Sequence, residues 1–243
     1  MRLDKLLADQ GFGTRSEVRK LIARGCVQIN GNTCRDSSLK VKDNDEVTCL
    51  GKDVEVVSGK TFYYLLLDKP DCVLTAMEDP RLPHVGELIE DRYRNRGVSP
   101  VGRLDYHTTG LLLLTNDGEL SHRLTSPSYN VPKTYLVNWT GGPLTDPDIR
   151  KASEGITLTD MDKPVKLKPC TITIEKDDQA RIVLTEGKTH EVRRILAHFG
   201  KEVTSLRRIS LASLNINEES APGTLRELTP DEISSLKQAV RLI

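Results

Sequence analysis

Aromatic side chains are scarce in this 243-residue chain: three Phe, six Tyr and one Trp. Stacking many bases along a single strand needs a platform of such rings, so broad single-strand binding is disfavoured. Charge of one sign is also missing. Thirty-five Lys and Arg balance thirty-five Asp and Glu, for a formal net charge of 0. The chain is therefore not a uniformly basic coat for nucleic acid, and any anion-binding surface must be a local patch. No apolar run approaches the roughly 20 residues of a membrane span, and the start MRLDKLLADQG is charged and amphipathic. A cytoplasmic protein without a membrane partner is expected. The five cysteines (Cys26, Cys34, Cys49, Cys72, Cys170) are odd in number and widely spread, with no C-x-x-C pair and no histidine at ligand spacing. Reduced thiols filling small apolar sites, and no metal site, follow from that pattern.

Several catalytic signatures are absent as well. There is no G-x-x-x-x-G-K-[ST] and no strand-linked G-x-G-x-x-G, so no nucleotide cofactor is implied. There is no G-x-S-x-G, and the five histidines (His84, His107, His122, His190, His198) include no H-E-x-x-H.

What is present is a globular composition, 37% apolar and 29% charged, long enough for one substantial core and a small accessory domain. Leu3, Leu6 and Leu7 form a helical stripe broken by Gly11 and Gly13. Thr14 and Glu17 have capping-box spacing ahead of a second helix with Val18, Leu21 and Ile22 inward. VQIN alternates as a strand, Asn30-Gly31 signals a hairpin, and EVTCL closes the unit. Domains are expected at 1–55 and 62–243, joined by a linker at 56–61 within the Gly, Lys and Ser mixture GKDVEVVSGKT. Beyond it FYYLLLDKP and LLLLT read as buried strands, ELSHRLTS and DPDIRKAS as helices, and KTYLVNW, VKLKPCTITIE and ARIVLTE as strands. HEVRRILAHFG then reads as a helix, and a final strand region runs from about 202 to 217. Strands outnumber helices and are joined by short connections, which predicts an α+β fold with a mixed or largely antiparallel sheet.

The helix pair carries six basic residues, Arg2, Lys5, Arg15, Arg19, Lys20 and Arg24, against Asp4, Asp9 and Glu17. The stretch RLDKLLADQGFGTRSEVRKLIARGCVQINGN resembles the S4 RNA-binding module, which implies a surface that grips folded RNA through phosphates and shape. Farther along, GRLDYHTTGLLLLTNDG sets Asp105 at the mouth of an apolar strand. Alone, such an acid is a turn residue. Followed in order by KTYLV and LTEGKTHEVRRI, it resembles the three motifs of the RsuA-type pseudouridine synthases, and the similarity runs nearly the whole length.

The resemblance implies that Asp105 is the catalytic carboxylate, Tyr135 stacks on the target base, and Arg193 pairs with the aspartate. It implies no cofactor and, as partner, ribosomal RNA or a ribosomal assembly intermediate, with small-subunit RNA as the target and the protein acting as a monomer. Isomerising uridine breaks the C1′–N1 bond, turns the ring and rejoins it through C5, so nothing is added or removed. Flipping the uridine out costs a few kcal/mol. Arg103, Lys188, Arg194, Arg207 and Arg208 are the cations expected near the RNA there. Glu191 departs from the family pattern, in which Gln follows the motif histidine, and would add negative charge close to Arg193. Tyr106 and His107 receive no role from the resemblance. Large-subunit RNA, a non-catalytic role in ribosome assembly, and an RNA glycosylase releasing uracil remain the alternative readings.

Overall fold

A computed structural model of the chain describes residues 1–56, 61–159, 163–217 and 220–243. Of the expected linker, residues 57–60 lie outside this set. The chain forms two compact units, one of residues 1–63 with 89–99 and one of residues 64–88 with 100–243.

In the first unit α1 (Leu3–Asp9) and α2 (Arg15–Ala23) turn Leu3, Leu6, Leu7, Val18 and Ile22 into a common core. Helix α2 starts on the capping box foreseen from Thr14 and Glu17, in which each side chain satisfies the other residue's otherwise orphaned N–H. β1 (Val27–Ile29) and β2 (Asn32–Cys34) are joined through Asn30 and Gly31, at φ 50° and 76°. Two consecutive left-handed residues are what a type I′ hairpin turn requires. With β3 (Val47–Cys49) and β4 (Lys52–Val54) they form an antiparallel sheet in the order β2-β1-β3-β4. Residues 89–99 add the short α3 (Asp91–Arg94); just beyond it, Arg96 donates to the Asp9 carbonyl at 3.0 Å. A four-residue helix is too short to leave a periodic signature in the sequence.

The second unit is built on a large mixed sheet. Its strands and helices, in chain order, are β5 (Tyr64–Lys69), β6 (Ser99–Pro100), β7 (Thr109–Thr115), α4 (Gly118–Thr125), β8 (Lys133–Thr140) and α5 (Asp146–Glu154). A two-stranded ribbon of β9 (Thr157–Leu158) and β10 (Val165–Lys166) follows, then β11 (Thr171–Lys176), β12 (Gln179–Leu184), α6 (Glu191–His198) and β13 (Glu202–Leu211). β14 (Leu214–Asn215), β15 (Leu225–Glu227) and α7 (Pro230–Ala239) complete the chain. The strand order is β11-β12-β8-β13-β7-β5-β15, and β13 pairs with β7 in parallel while its pairing with β8 is antiparallel. The expected α+β class and mixed sheet are what the chain adopts.

Burial on both faces explains the unbroken run Leu111 to Leu114, all fully buried. Leu111 and Leu113 enter one core with Leu120, Leu124 and Leu236. A second core lies around Val137, Trp139, Ile182, Ile195 and Leu196. Gly110, the last residue of His-Thr-Thr-Gly, has φ 96°, and a Cβ there would stand 2.3 Å from the Arg208 carbonyl oxygen. The glycine is what lets β7 approach β13 as the loop carrying Asp105 enters the sheet.

Candidate active site

Asp105 lies in the loop between β6 and β7, and the backbone of that loop is held at every carbonyl from residue 104 to 108. The Thr75 hydroxyl donates to the Leu104 oxygen at 2.7 Å and accepts from the Leu104 N–H at 3.1 Å. The Asp105 oxygen accepts from the Thr108 N–H at 3.0 Å. Lys69 Nζ donates to Tyr106 at 3.3 Å and to Thr108 at 2.9 Å, and also to Pro70 at 2.9 Å. Arg193 donates to the His107 oxygen at 3.3 Å.

Sequence reasoning missed Lys69. It stands at the end of a strand in the pattern DKP, where a lysine ordinarily snorkels to solvent, yet it is fully buried. Burial lowers its pKa to about 8, against partial opposition from Asp71, Asp105 and Cys72. Pro70 offers the only early signal: it ends the strand and its carbonyl becomes one of the three acceptors.

The expected Arg193–Asp105 ion pair is not what forms. Arg193 bonds the carbonyls of His107 and, at 3.4 Å, Val203, and its place on α6 directs it at the backbone beyond the acid. Among the described residues, the ionisable side chain beside Asp105 is His190, with Nε2 3.6 Å from Oδ1. His190 caps α6 in the left-handed conformation at φ 53°. Asp105 retains 37% of its side-chain exposure, so water reaches the carboxylate and no deep desolvation has to be offset by a guanidinium.

A cavity of about 470 Å³ opens beside the acid, within the range usual for small-ligand sites. Arg103, Asp105 and Thr108 form one wall, Tyr135 on β8 another, and Lys188, His190 and Glu191 the third. Tyr135 pairs with Arg208 on one side and Ile182 on the other, so its backbone is central to the sheet while its half-buried side chain faces the cavity.

Glu191 behaves differently from the expected surface charge. It is 4% exposed, its Oε2 accepts from the Lys188 N–H at 2.7 Å, and its buried Oε1 meets no donor among the described residues. Burial first, and then the nearby Glu186 carboxylate, push its pKa up to about 7. Glu186 is itself tied down, accepting from the Lys168 N–H at 2.6 Å. A proton on Glu191 supplies the donor that two facing carboxylates lack. The residue therefore carries only part of a negative charge at neutral pH.

The remaining cations divide. Arg103 is exposed at the cavity wall and Arg194 is half-buried on α6. Lys188 lines the cavity and is tied to Glu186 at 3.3 Å and to the Lys166 carbonyl. Arg207 and Arg208 are not available to RNA as expected. Arg207 grips the fully buried Asp68 with two bonds of 2.9 and 2.6 Å, and Arg208, 2% exposed, donates to the Leu111 carbonyl at 2.8 Å. Both sit in the middle of β13, where Arg208 is buried and Arg207, half-buried, commits its guanidinium to Asp68.

In the first unit Arg2 and Arg19 bracket the buried Asp4 carboxylate at 3.1 and 3.0 Å. The hydrogen bond from Arg2 is the main cause of its pKa falling to about 2. Lys5, Arg15, Lys20 and Arg24 remain exposed.

One grouping contradicts the expectation that the cysteines fill apolar sites. Cys49 and Cys170 are buried, but Cys72 is exposed. Its Sγ stands 3.8 Å from His107 Nδ1, which in turn lies 3.0 Å from Asp71 Oδ1. No linear spacing could disclose this, because 35 residues separate Cys72 from His107.

Residues 63–198 match the RNA pseudouridylate synthase family and residues 1–47 match the S4 domain. An RNA pseudouridine synthase of Bacillus subtilis, YtzG, is 39% identical across 98% of this chain and 99% of its own. A large-subunit pseudouridine synthase B of the same organism is 35% identical over 97% and 95%. A small-subunit pseudouridine synthase A of Pasteurella multocida is 33% identical over 98% and 100%. The chain belongs to the RNA pseudouridylate synthase family, and it carries an N-terminal S4 RNA-binding domain.

Proposed function

We propose that this synthase isomerises a single uridine in ribosomal RNA, with small-subunit RNA as its substrate. The observation that carries the reading is an acid on a loop held at five successive carbonyls, facing a cavity that also presents a tyrosine. Preorganisation of this kind suits a nucleophile that must meet one carbon of an extruded nucleoside. Asp105 is the nucleophile, adding either to the uracil ring or to C1′ as the base departs. Tyr135 stacks on the base and accepts or relays the proton that leaves C5 after the ring rejoins, while N1 gains one, so the overall composition is unchanged. Arg193 acts through the loop, holding the residue two positions beyond the acid. Lys5, Arg15, Lys20 and Arg24 supply phosphate contacts, with Arg103 and Lys188 beside the cavity.

The choice of subunit draws support from the small-subunit name of the Pasteurella relative, while the large-subunit name of the Bacillus relative supports the alternative. The test is incubation with ribosomal RNA from a strain lacking its own synthases, then carbodiimide mapping. One new stop in small-subunit RNA is expected; a stop only in large-subunit RNA overturns the assignment of subunit, and no stop in either overturns ribosomal RNA as the substrate. Release of free uracil instead identifies the glycosylase reaction.

A further inference from the structure

We propose that Asp71, Cys72 and His107 form a binding site for a thiophilic divalent cation of the zinc class, joining the turn after β5 to the loop that carries Asp105.

Three different donors converge here: a carboxylate oxygen, a thiol sulfur and an imidazole nitrogen, all within 4.8 Å of one another. Their chemistry suits zinc, which takes exactly these atom types and in open sites uses three protein ligands plus water. The spacing suits it as well. With Zn–N and Zn–O near 2.0 Å and Zn–S near 2.3 Å at tetrahedral angles, the N···O edge is about 3.3 Å and the N···S edge about 3.5 Å. The observed edges are 3.0 Å for His107 Nδ1 to Asp71 Oδ1 and 3.8 Å for His107 Nδ1 to Cys72 Sγ. The third edge, from Asp71 to Cys72, is no longer than 4.8 Å, so side-chain rotation toward a common centre is what closes the site.

The backbone is already committed to this arrangement. Cys72 has φ 57°, a left-handed conformation that a cysteine rarely adopts, and its N–H donates to Asp71 Oδ1 at 2.8 Å. The opposite ligand is fixed because the His107 carbonyl is held by Arg193 and the flanking Tyr106 and Thr108 carbonyls by Lys69. All three ligands are exposed, so the ion has an open path and keeps at least one water. Binding displaces the thiol proton and fixes His107 with its remaining proton on Nε2. The positive charge of Lys69 opposes the cation, which keeps the affinity moderate and the binding reversible.

Because His107 is two residues beyond Asp105, the ion adds a link to the loop from its solvent side. The experiment uses the full-length protein, stripped with chelator and kept reduced, titrated with Co²⁺ and then with Zn²⁺. One equivalent of tetrahedral Co²⁺ with a near-ultraviolet thiolate charge-transfer band is expected, displaced by Zn²⁺, with a rise in melting temperature on Zn²⁺ addition. Cys72→Ser and His107→Ala should each weaken binding at least about tenfold, while Cys26→Ser and Cys34→Ser should not. The melting temperature of each metal-free variant, compared with wild type, excludes misfolding as the cause of a loss. Metal-free Cys72→Ser should keep wild-type turnover. Persistence of the thiolate band in Cys72→Ser, or absence of saturable binding in the wild type, overturns the proposal.

Discussion

Replacing Lys69 by methionine separates loop anchoring from global stability. The native lysine carries two opposing contributions. Holding it protonated when its pKa has fallen from 10.5 to about 8 costs the folded state about 3 kcal/mol at neutral pH. Against this stand three charge-assisted bonds to the carbonyls of Pro70, Tyr106 and Thr108. Methionine has nearly the same length and removes the desolvation cost, but leaves three acceptors without a donor, at about 1 kcal/mol or more each. The two changes nearly cancel, so the melting temperature should move by only a few degrees. The Asp105 loop, in contrast, loses two of its five anchored carbonyls. A displacement near 1 Å at a nucleophile costs about a hundredfold in rate, and kcat on ribosomal RNA should fall by about that factor with RNA affinity retained.

A pH series gives the same argument a second reading. Unfolded chains keep the Lys69 proton up to 10.5, whereas the folded protein releases it near 8, so between these values the unfolded state binds more protons. Wild-type stability relative to Lys69→Met should therefore rise as pH increases through this interval. Activity should decline over the same range, since a neutral amine has two N–H donors for three carbonyls. Turnover of Lys69→Met within about threefold of wild type, at the hundredfold scale expected for a displaced nucleophile, would refute the reasoning, as would a stability difference that does not change with pH.

Other outcomes follow from the same geometry. Asp105→Asn should preserve the melting temperature and RNA affinity but abolish pseudouridine formation in a mapping assay. Arg207→Ala leaves Asp68 buried and unpaired, and denaturant titration should show a loss of about 3–5 kcal/mol, whereas Arg103→Ala at the cavity wall should leave stability unchanged. Glu191 is protonated in the fold up to about pH 7 and in the unfolded chain only up to 4.5, so its contribution is fully present below 4.5 and is lost as pH rises through 7. Wild type should accordingly lose stability relative to Glu191→Gln between pH 5 and 8, read from urea midpoints. Replacing any one of Lys5, Arg15, Lys20 or Arg24 by Ala should lower the salt slope of RNA binding by roughly 0.7–0.9. Arg19→Ala should instead register chiefly as lost stability, because Asp4 depends on it.

Periodicity and turn chemistry made most elements readable in advance: the Thr14 and Glu17 box, the Asn30-Gly31 hairpin and the four-leucine strand all formed where the pattern put them. Helix α7 is equally marked, with Thr229, Pro230 and Glu232 as its start signal, although the sequence reading assigns no element beyond residue 217. The order of the three motifs brought Asp105 and Tyr135 to one cavity, since a family pattern encodes the spacing of a shared sheet. The partner of the acid was not readable that way. Arg193, Arg207 and Lys69 are all cations near the site, and which of them meets a carboxylate and which a carbonyl depends on strand register and burial.

The loop that presents Asp105 is gripped chiefly by its main chain, with the His107 imidazole adding a side-chain contact to Asp71. Between positions 105 and 108 the fold reads oxygen atoms, which every amino acid possesses, and leaves the identities of Tyr106 and His107 unconstrained by the main-chain grip. Sequence drift at those two places can therefore install new surface chemistry within a few ångströms of the reactive acid while its aim is preserved. A scaffold of this design is free to evolve local control beside its most demanding residue.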